Sequence, residues 1–221
     1  MKKNTKPSWT LVIGDKNLSS WSLRPWLVLR ASQIPFKEVL IRLDRPDTTQ
    51  KIQKYSGLGK VPVLVVGDLK IWDSLAISEF VAEHAHESCE LWPQQLETRA
   101  LARSYVAEMH SGFESMRSQL SMDINLKIKV NHLTSGTVGD IQRVLLLWKT
   151  ALDLHKGRFL FGDQFGVVDA FYAPVVLRFL SYGITIVDKK VNAYMKRVTT
   201  YGPLSEWIAA ASRERPQISR F

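Results

Sequence analysis

The first distinct pattern in the chain is a short continuous apolar run, Leu11-Val12-Ile13, between Thr10 and Gly14. Unbroken apolarity over so few residues suits a strand covered on both faces, so Thr10 to Gly14 is the first predicted strand. After a polar loop, Leu23, Trp26, Leu27, Ala31 and Ile34 recur at helical spacing. This predicts a helix from Ser20 or Ser22 to Ser32, with Pro25 tolerated because it lies near the first turn. Lys37 to Arg42 holds Val39, Leu40 and Ile41, a second strand. A strand, helix, strand order of this length favours a parallel crossover. Val63 to Val66 and Leu69 to Trp72 are divided by Gly67-Asp68 and read as an antiparallel hairpin. Ser74 is then placed to cap a helix carrying Ile77, Phe80 and Val81, which ends near Glu83.

From His84 to Gln95 periodicity is lost and Pro93 intervenes, the pattern of a linker. Beyond it no strand pattern is found. Leu101, Tyr105, Met109, Phe113, Met116 and Leu120 predict one long amphipathic helix from Gln95 to Leu120. Thr137 with Asp140 resembles a capping box ahead of Ile141, Val144, Leu145, Trp148 and Leu152. Val167 to Leu180 is apolar nearly all round and is predicted as a central buried helix. Two shorter helices follow, one with Val191, Tyr194, Met195 and Val198, the next with Leu204, Trp207, Ile208 and Ala211 and opened by Pro203. The expected organisation is an α/β domain over 1–84, a linker over 85–94 and an all-helical domain over 95–221. No internal repeat interrupts this plan.

Composition removes several classes of function. The longest apolar run, Val144 to Trp148, is far short of the ~20 residues that cross a bilayer. Lys2, Lys3 and Lys6 precede an apolar stretch too brief for a secretory core, so a cytoplasmic address is expected. A net charge of +9 could serve a nucleic-acid partner, but the Lys and Arg residues are scattered, which argues against one. A basic solvated surface, or one that draws in anionic small molecules, is the better reading. Cys89 is the single cysteine, so no internal disulfide can form, and the His and Cys positions lack zinc-ligand spacing. No metal is expected.

Five segments then gain meaning together: Ser19-Ser20-Trp21-Ser22-Leu23-Arg24, Gly59-Lys60-Val61-Pro62-Val63-Leu64, Asp73-Ser74-Leu75-Ala76-Ile77, Leu91-Trp92-Pro93, and Gly162-Asp163 through Asp169-Ala170. In this order and spacing the chain resembles the cytosolic glutathione transferases. The resemblance implies an α/β N-terminal thioredoxin-like domain followed by an all-α C-terminal helical-bundle domain. Ser19 to Arg24 is most similar to the zeta class, whose motif runs Ser-Ser-Cys with an Arg three residues after the Cys. By that likeness Ser19 is the catalytic hydroxyl, Ser20 its neighbour in the site, and Arg24 the motif's arginine. Val61-Pro62 would be a cis peptide whose Val61 backbone pairs with glutathione like an added strand. Lys60 would sit near the glycine carboxylate. Asp73 and Ser74 would receive the γ-glutamyl end, Asp73 attracting the ammonium and Ser74 with the following helix amides holding the carboxylate.

The chemistry is coherent without the family. A thiol is a useful nucleophile only as thiolate, and its pKa falls at a helix N-terminus with donors aimed at sulfur. For Ser19, Ser20 and Ser74 plain helix capping is the competing reading, and Ser22 is assigned to capping. Trp21 stands where the zeta motif has Cys; it either offers an aromatic electrophile a flat wall within the site or packs into a core or interface. The implied partners are glutathione as co-substrate, a small apolar electrophile or a peroxide, and a second copy in a homodimer. Two other readings stay open: a non-catalytic binding or transcription-associated protein of this fold, and a zeta-like cis-trans isomerase, against which Trp21 counts. Tyr105, Met109, His110, Phe113, Met116, Tyr172 and Arg178 could line the electrophile pocket, with core packing favoured for each. An arginine such as Arg178 on an apolar helix calls for an acidic partner or a substrate carboxylate. Asp169 resembles the family's buried N-capping aspartate, but Gly166 replaces the usual Ser or Thr, so Asp169 is assigned to folding and works alone.

Overall fold

The computed structural model describes residues 8–214. Lys2, Lys3 and Lys6, and the final stretch 215–221 of the expected helical domain, lie outside them. Strand β1 (Trp9–Ile13) is followed by α1 (Ser20–Ser32), β2 (Phe36–Leu40), α2 (Thr48–Gln53), β3 (Val63–Val66), β4 (Leu69–Trp72) and α3 (Ser74–His84). The sheet order is β2-β1-β3-β4, with β1 and β2 parallel and the other pairs antiparallel. Alternation along β1 explains its unbroken apolar run: Leu11 and Ile13 enter the main core, while Val12 joins Ile41, Ile52 and Val63 on the opposite face. Both faces of this central strand are dry.

Strand β2 lies at the sheet edge and ends at Leu40, which is exposed; Ile41 packs just beyond it. The short α2 buries only Ile52, so it left no apolar period to read. At α3 the expected cap is corrected by one residue. Asp73 is the N-cap, its Oδ1 accepting from the backbone N–H groups of Leu75 (2.7 Å) and Ala76 (3.4 Å). Its φ of 74° turns the chain out of β4, which puts Ser74 already inside the helix.

The second half comprises α4 (Leu96–Ser111), α5 (Glu114–Gln119), α6 (Ser135–His155), α7 (Val167–Ser181), α8 (Lys189–Thr199) and α9 (Gly202–Ala211). The single helix expected over Gln95 to Leu120 is in fact two. Gly112 leaves the helix in an extended conformation, and a Cβ there would stand 2.9 Å from the Glu108 carbonyl oxygen; Phe113 then takes φ 60°. The apolar period survives the break because Phe113, Met116 and Leu120 are all buried on the same core. The Thr137–Asp140 box is also corrected. Thr134 caps α6 by accepting from the Thr137 N–H at 3.2 Å, and Asp140 turns outward to accept from the Met116 N–H of α5 at 2.9 Å. Helix α7 is buried nearly throughout and packs against α1, α4 and α8, which ties the helical half to the sheet half. No helix among the described residues is long and apolar enough to cross a membrane.

Candidate functional site

Sheet register gathers three of the singled-out segments. Val63 pairs with both Val12 and Trp72. The chain leaving β1 toward Ser19, the chain entering β3 through Lys60, Val61 and Pro62, and the chain leaving β4 into Asp73 and Ser74 therefore emerge at one end of the sheet. The Val61-Pro62 bond is cis. Lys60 is exposed and Val61 half-buried.

Ser19 is the N-cap of α1 and only 6% exposed. Its Oγ accepts weakly from the Ser22 N–H at 3.4 Å and donates to Ser22 Oγ at 2.8 Å. Ser22 Oγ in turn accepts from the Gly14 N–H at 3.1 Å. Ser22, expected as a possible cap, instead lies inside α1 and ties the end of β1 to the Ser19 hydroxyl. The α1 dipole adds partial positive charge at the same place. Ser20, also buried, accepts from Arg178 Nη2 at 3.3 Å across the seam between the two halves.

At α3 each Asp73 oxygen has a task. One caps the helix, and the other lies 3.2 Å from His110 Nε2 of α4. Ser74 Oγ is buried and has no hydrogen-bond partner among the described residues, although its carbonyl accepts from Ser78. A buried hydroxyl at the first turn of a helix, where the helix dipole is positive, suits a carboxylate. The dipole and Ser74 thus fit the anionic end of a bound peptide.

Trp21 is 37% exposed, so it is not a core filling. The guanidinium carbons of Arg24 and Arg117 lie 4.2 and 4.9 Å from its ring centroid, and His110 meets it edge-on at 5.3 Å. Burial, then repulsion from Arg24 and Arg117 against a counter-pull from Asp73, holds the His110 pKa below its ordinary value. The acidic partner expected for Arg178 is replaced by uncharged ones: it donates to the Leu120 carbonyl at 2.8 Å and to Ser20. Of the other pocket candidates, Tyr105, Met109, Phe113, Met116 and Tyr172 are buried in the main core. Tyr172 donates to the Tyr105 carbonyl at 3.3 Å, a link between helices.

Arg117 was not visible in advance, because the expected continuous helix hid the turn that delivers it. The Ser111-Gly112 pair after the helical run was the available signal. Asp169 lies apart from the site. Its two oxygens accept from the N–H groups of Leu160 (3.1 Å) and Gly166 (3.0 Å), and burial pushes its pKa up to about 6. Gly166 has a positive reason to lack a side chain: a Cβ would stand 2.9 Å from the Leu91 carbonyl oxygen, which accepts from the Val167 N–H. The linker carbonyl occupies the place a capping hydroxyl would need.

The fold and these residues define a thioredoxin-like domain with a helical domain docked at the mouth of its site. The N-terminal domain family of the glutathione S-transferases matches residues 18–84, and the C-terminal domain family matches residues 97–210. The chain belongs to the glutathione S-transferase family. It is 29% identical over 188 residues to glutathione S-transferase 1 of Dianthus caryophyllus, covering 81% of this chain and 85% of that one. It is 27% identical over 164 residues to a probable maleylacetoacetate isomerase of Caenorhabditis elegans, covering 71% and 72%. A glutathione transferase homologue from a Burkholderia strain, BGR1, solved with bound glutathione, shares the fold at a TM-score of 0.71 and 21% identity, covering 95% of this chain and all of that one.

Proposed function

We propose that this chain is a glutathione transferase in which Ser19 stabilises the thiolate of glutathione for attack on an electrophile with an apolar body, or on a peroxide. The observation that carries the reading is the buried Ser19 hydroxyl at the start of α1, held by Ser22 at the sheet end shared with Val61-Pro62 and Asp73-Ser74. Hydroxyl protons rotate, so Ser22 can donate to Ser19 while still accepting from Gly14, which frees the Ser19 O–H for sulfur. Val61 then offers backbone pairing to the tripeptide, Lys60 a cation for its glycine end, and Asp73 and Ser74 a cation partner and an anion partner for its γ-glutamyl end. Ser20 and Trp21 border the sulfur position. In this reading 1–84 and 95–221 act as two domains joined by 85–94, in a cytoplasmic homodimer.

Calorimetric titration with glutathione and then S-hexylglutathione tests the reading: both bind, the second more tightly. Binding of neither removes it. In Ser19→Ala, glutathione still binds while the thiolate absorbance of the complex near neutral pH disappears; equal absorbance in variant and parent would take Ser19 out of the catalytic role. The likeness to the Caenorhabditis elegans relative favours a second reading, glutathione-dependent cis-trans isomerisation. A glutathione-dependent spectral change with maleylacetone would support it, and none would remove it.

A further inference from the structure

The loop that leads from β1 to Ser19 takes its shape from the far end of the chain. Leu18 and Ser19 donate to the Asp15 carbonyl at 3.2 and 2.8 Å, a turn that sets Ser19 at the start of α1. Inside that turn the backbone of Lys16 and Asn17 reaches across to the helical half. Their two N–H groups donate to the two carboxylate oxygens of Glu214, one each, both at 2.9 Å. The Lys16 carbonyl accepts from Trp207 Nε1 at 2.8 Å, and the Asn17 carbonyl from the Ile124 N–H at 3.3 Å. Every backbone polar group of these two residues is thus satisfied from the other domain.

Glu214 lies just past α9, with its side chain only 8% exposed. Arg42 stands 3.2 Å from it and also pairs with Asp15 at 2.6 Å, so one guanidinium joins the clamp to the residue that closes the turn. The other side of the loop is fixed as well: the Asn17 side chain donates to Asp123 at 2.8 Å and accepts from the Asn125 N–H at 3.0 Å. Docking alone does not call for this. Trp207, fully buried, already packs α9 edge-on against Trp26 of α1 at 5.1 Å. A carboxylate that accepts from two successive amides adds direction to that adhesion, because charge-assisted bonds are short and strong. Direction matters here, since a hydroxyl serves a developing thiolate only when it is aimed at the sulfur.

We propose that Glu214 is a positioning residue: by clamping the Lys16 and Asn17 amides it fixes the turn that aims the Ser19 hydroxyl at the sulfur of glutathione. The inference rests on the transferase reading of Ser19, and the experiment tells failure of the one from failure of the other.

The test follows the thiolate absorbance of bound glutathione against pH in the full chain. In Glu214→Gln an amide nitrogen replaces one acceptor oxygen and meets a loop N–H donor with another donor, so half of the clamp is lost. The thiolate transition should move up by about one pH unit, an about tenfold change in the ionisation equilibrium. Glutathione affinity by calorimetry should stay within about threefold. Asn17→Ala, which frees the loop from Asp123 and Asn125, should shift the transition the same way and serves if Glu214→Gln does not fold. Glu206→Gln is the control: it breaks the Arg30–Glu206 pair at 2.8 Å, which ties α9 to α1 without touching the loop, and should leave the transition in place. An unshifted transition in either folded loop variant would overturn the proposal and leave the transferase reading standing. An equal shift in Glu206→Gln would also overturn it, by giving the effect to the docking of α9. A parent protein that binds glutathione without lowering its thiol pKa would remove the Ser19 reading and this inference together.

Discussion

Asp169 and Asp73 both stand at the start of a helix, yet they sit in opposite surroundings. Around Asp169 every oxygen is spoken for: the buried Leu160 and the partly buried Gly166 N–H groups point at the carboxylate, and the linker carbonyl of Leu91 closes the helix start from the other side. Around Asp73 the carboxylate is exposed, and next to it lie a buried Ser74 hydroxyl and a buried Arg24 with unpartnered polar atoms. Burial with full hydrogen bonding marks a residue that serves the fold. Burial without it marks a place shaped for something that binds.

The largest effect expected from this contrast belongs to the closed region. Asp169→Ala strands the N–H groups of Leu160 and Gly166 and should cost roughly 2–4 kcal/mol, read as a lower urea midpoint at unchanged slope. A loss below about 0.5 kcal/mol would erase the distinction between the two aspartates, since ordinary surface changes fall in that range. Next comes the open region, where Ser19→Ala should lower kcat about a hundred-fold. Its urea midpoint should move little, because the lost cap is worth only about 1 kcal/mol. A variant that unfolds while keeping its rate per folded molecule would reverse the assignment of Ser19.

Gly166→Ser sharpens the closed region further. The change restores the hydroxyl familiar from a capping box, yet it should destabilise by about 1–3 kcal/mol because its Cβ is driven toward the Leu91 carbonyl. A gain in stability would show that the linker yields. The smallest effect is in pH. The Asp169 carboxyl titrates at about 6 in the folded chain against an ordinary 3.8, so the folded state holds the proton more tightly. Its contribution to stability is full below about pH 4 and is lost as pH rises through about 6. The stability gap between the parent and Asp169→Asn, followed by urea unfolding from pH 4.5 to 7, should therefore narrow by about 1–2 kcal/mol as pH rises. A gap that widens would mean the carboxylate is the form the fold prefers.

Much of the architecture was legible because it is local. β1 reads as a doubly buried strand from three residues, and the Gly67-Asp68 hairpin follows from its turn chemistry. The central burial of α7 shows in its apolarity all round. What escaped was set by neighbours. Helix α2 carries one buried residue and so no period. The break at Gly112 and Phe113 kept the apolar spacing and hid behind it. Asp140 serves α5 instead of its own helix, a choice that depends on where the Met116 amide comes to rest.

The site divides the same way. Ser19, Val61-Pro62 and Asp73-Ser74 were readable because each is a short motif at the end of a strand or the start of a helix, where local chemistry constrains residue type. Their convergence needed only the sheet register of β1, β3 and β4. The His110–Asp73 contact and the meeting of Arg24, Arg117 and Arg178 carry no such local signature. The arginines meet because α1 packs on α7 and because the chain turns at Gly112. A guanidinium's surroundings are decided by which helices crowd it, and only the tertiary structure supplies those.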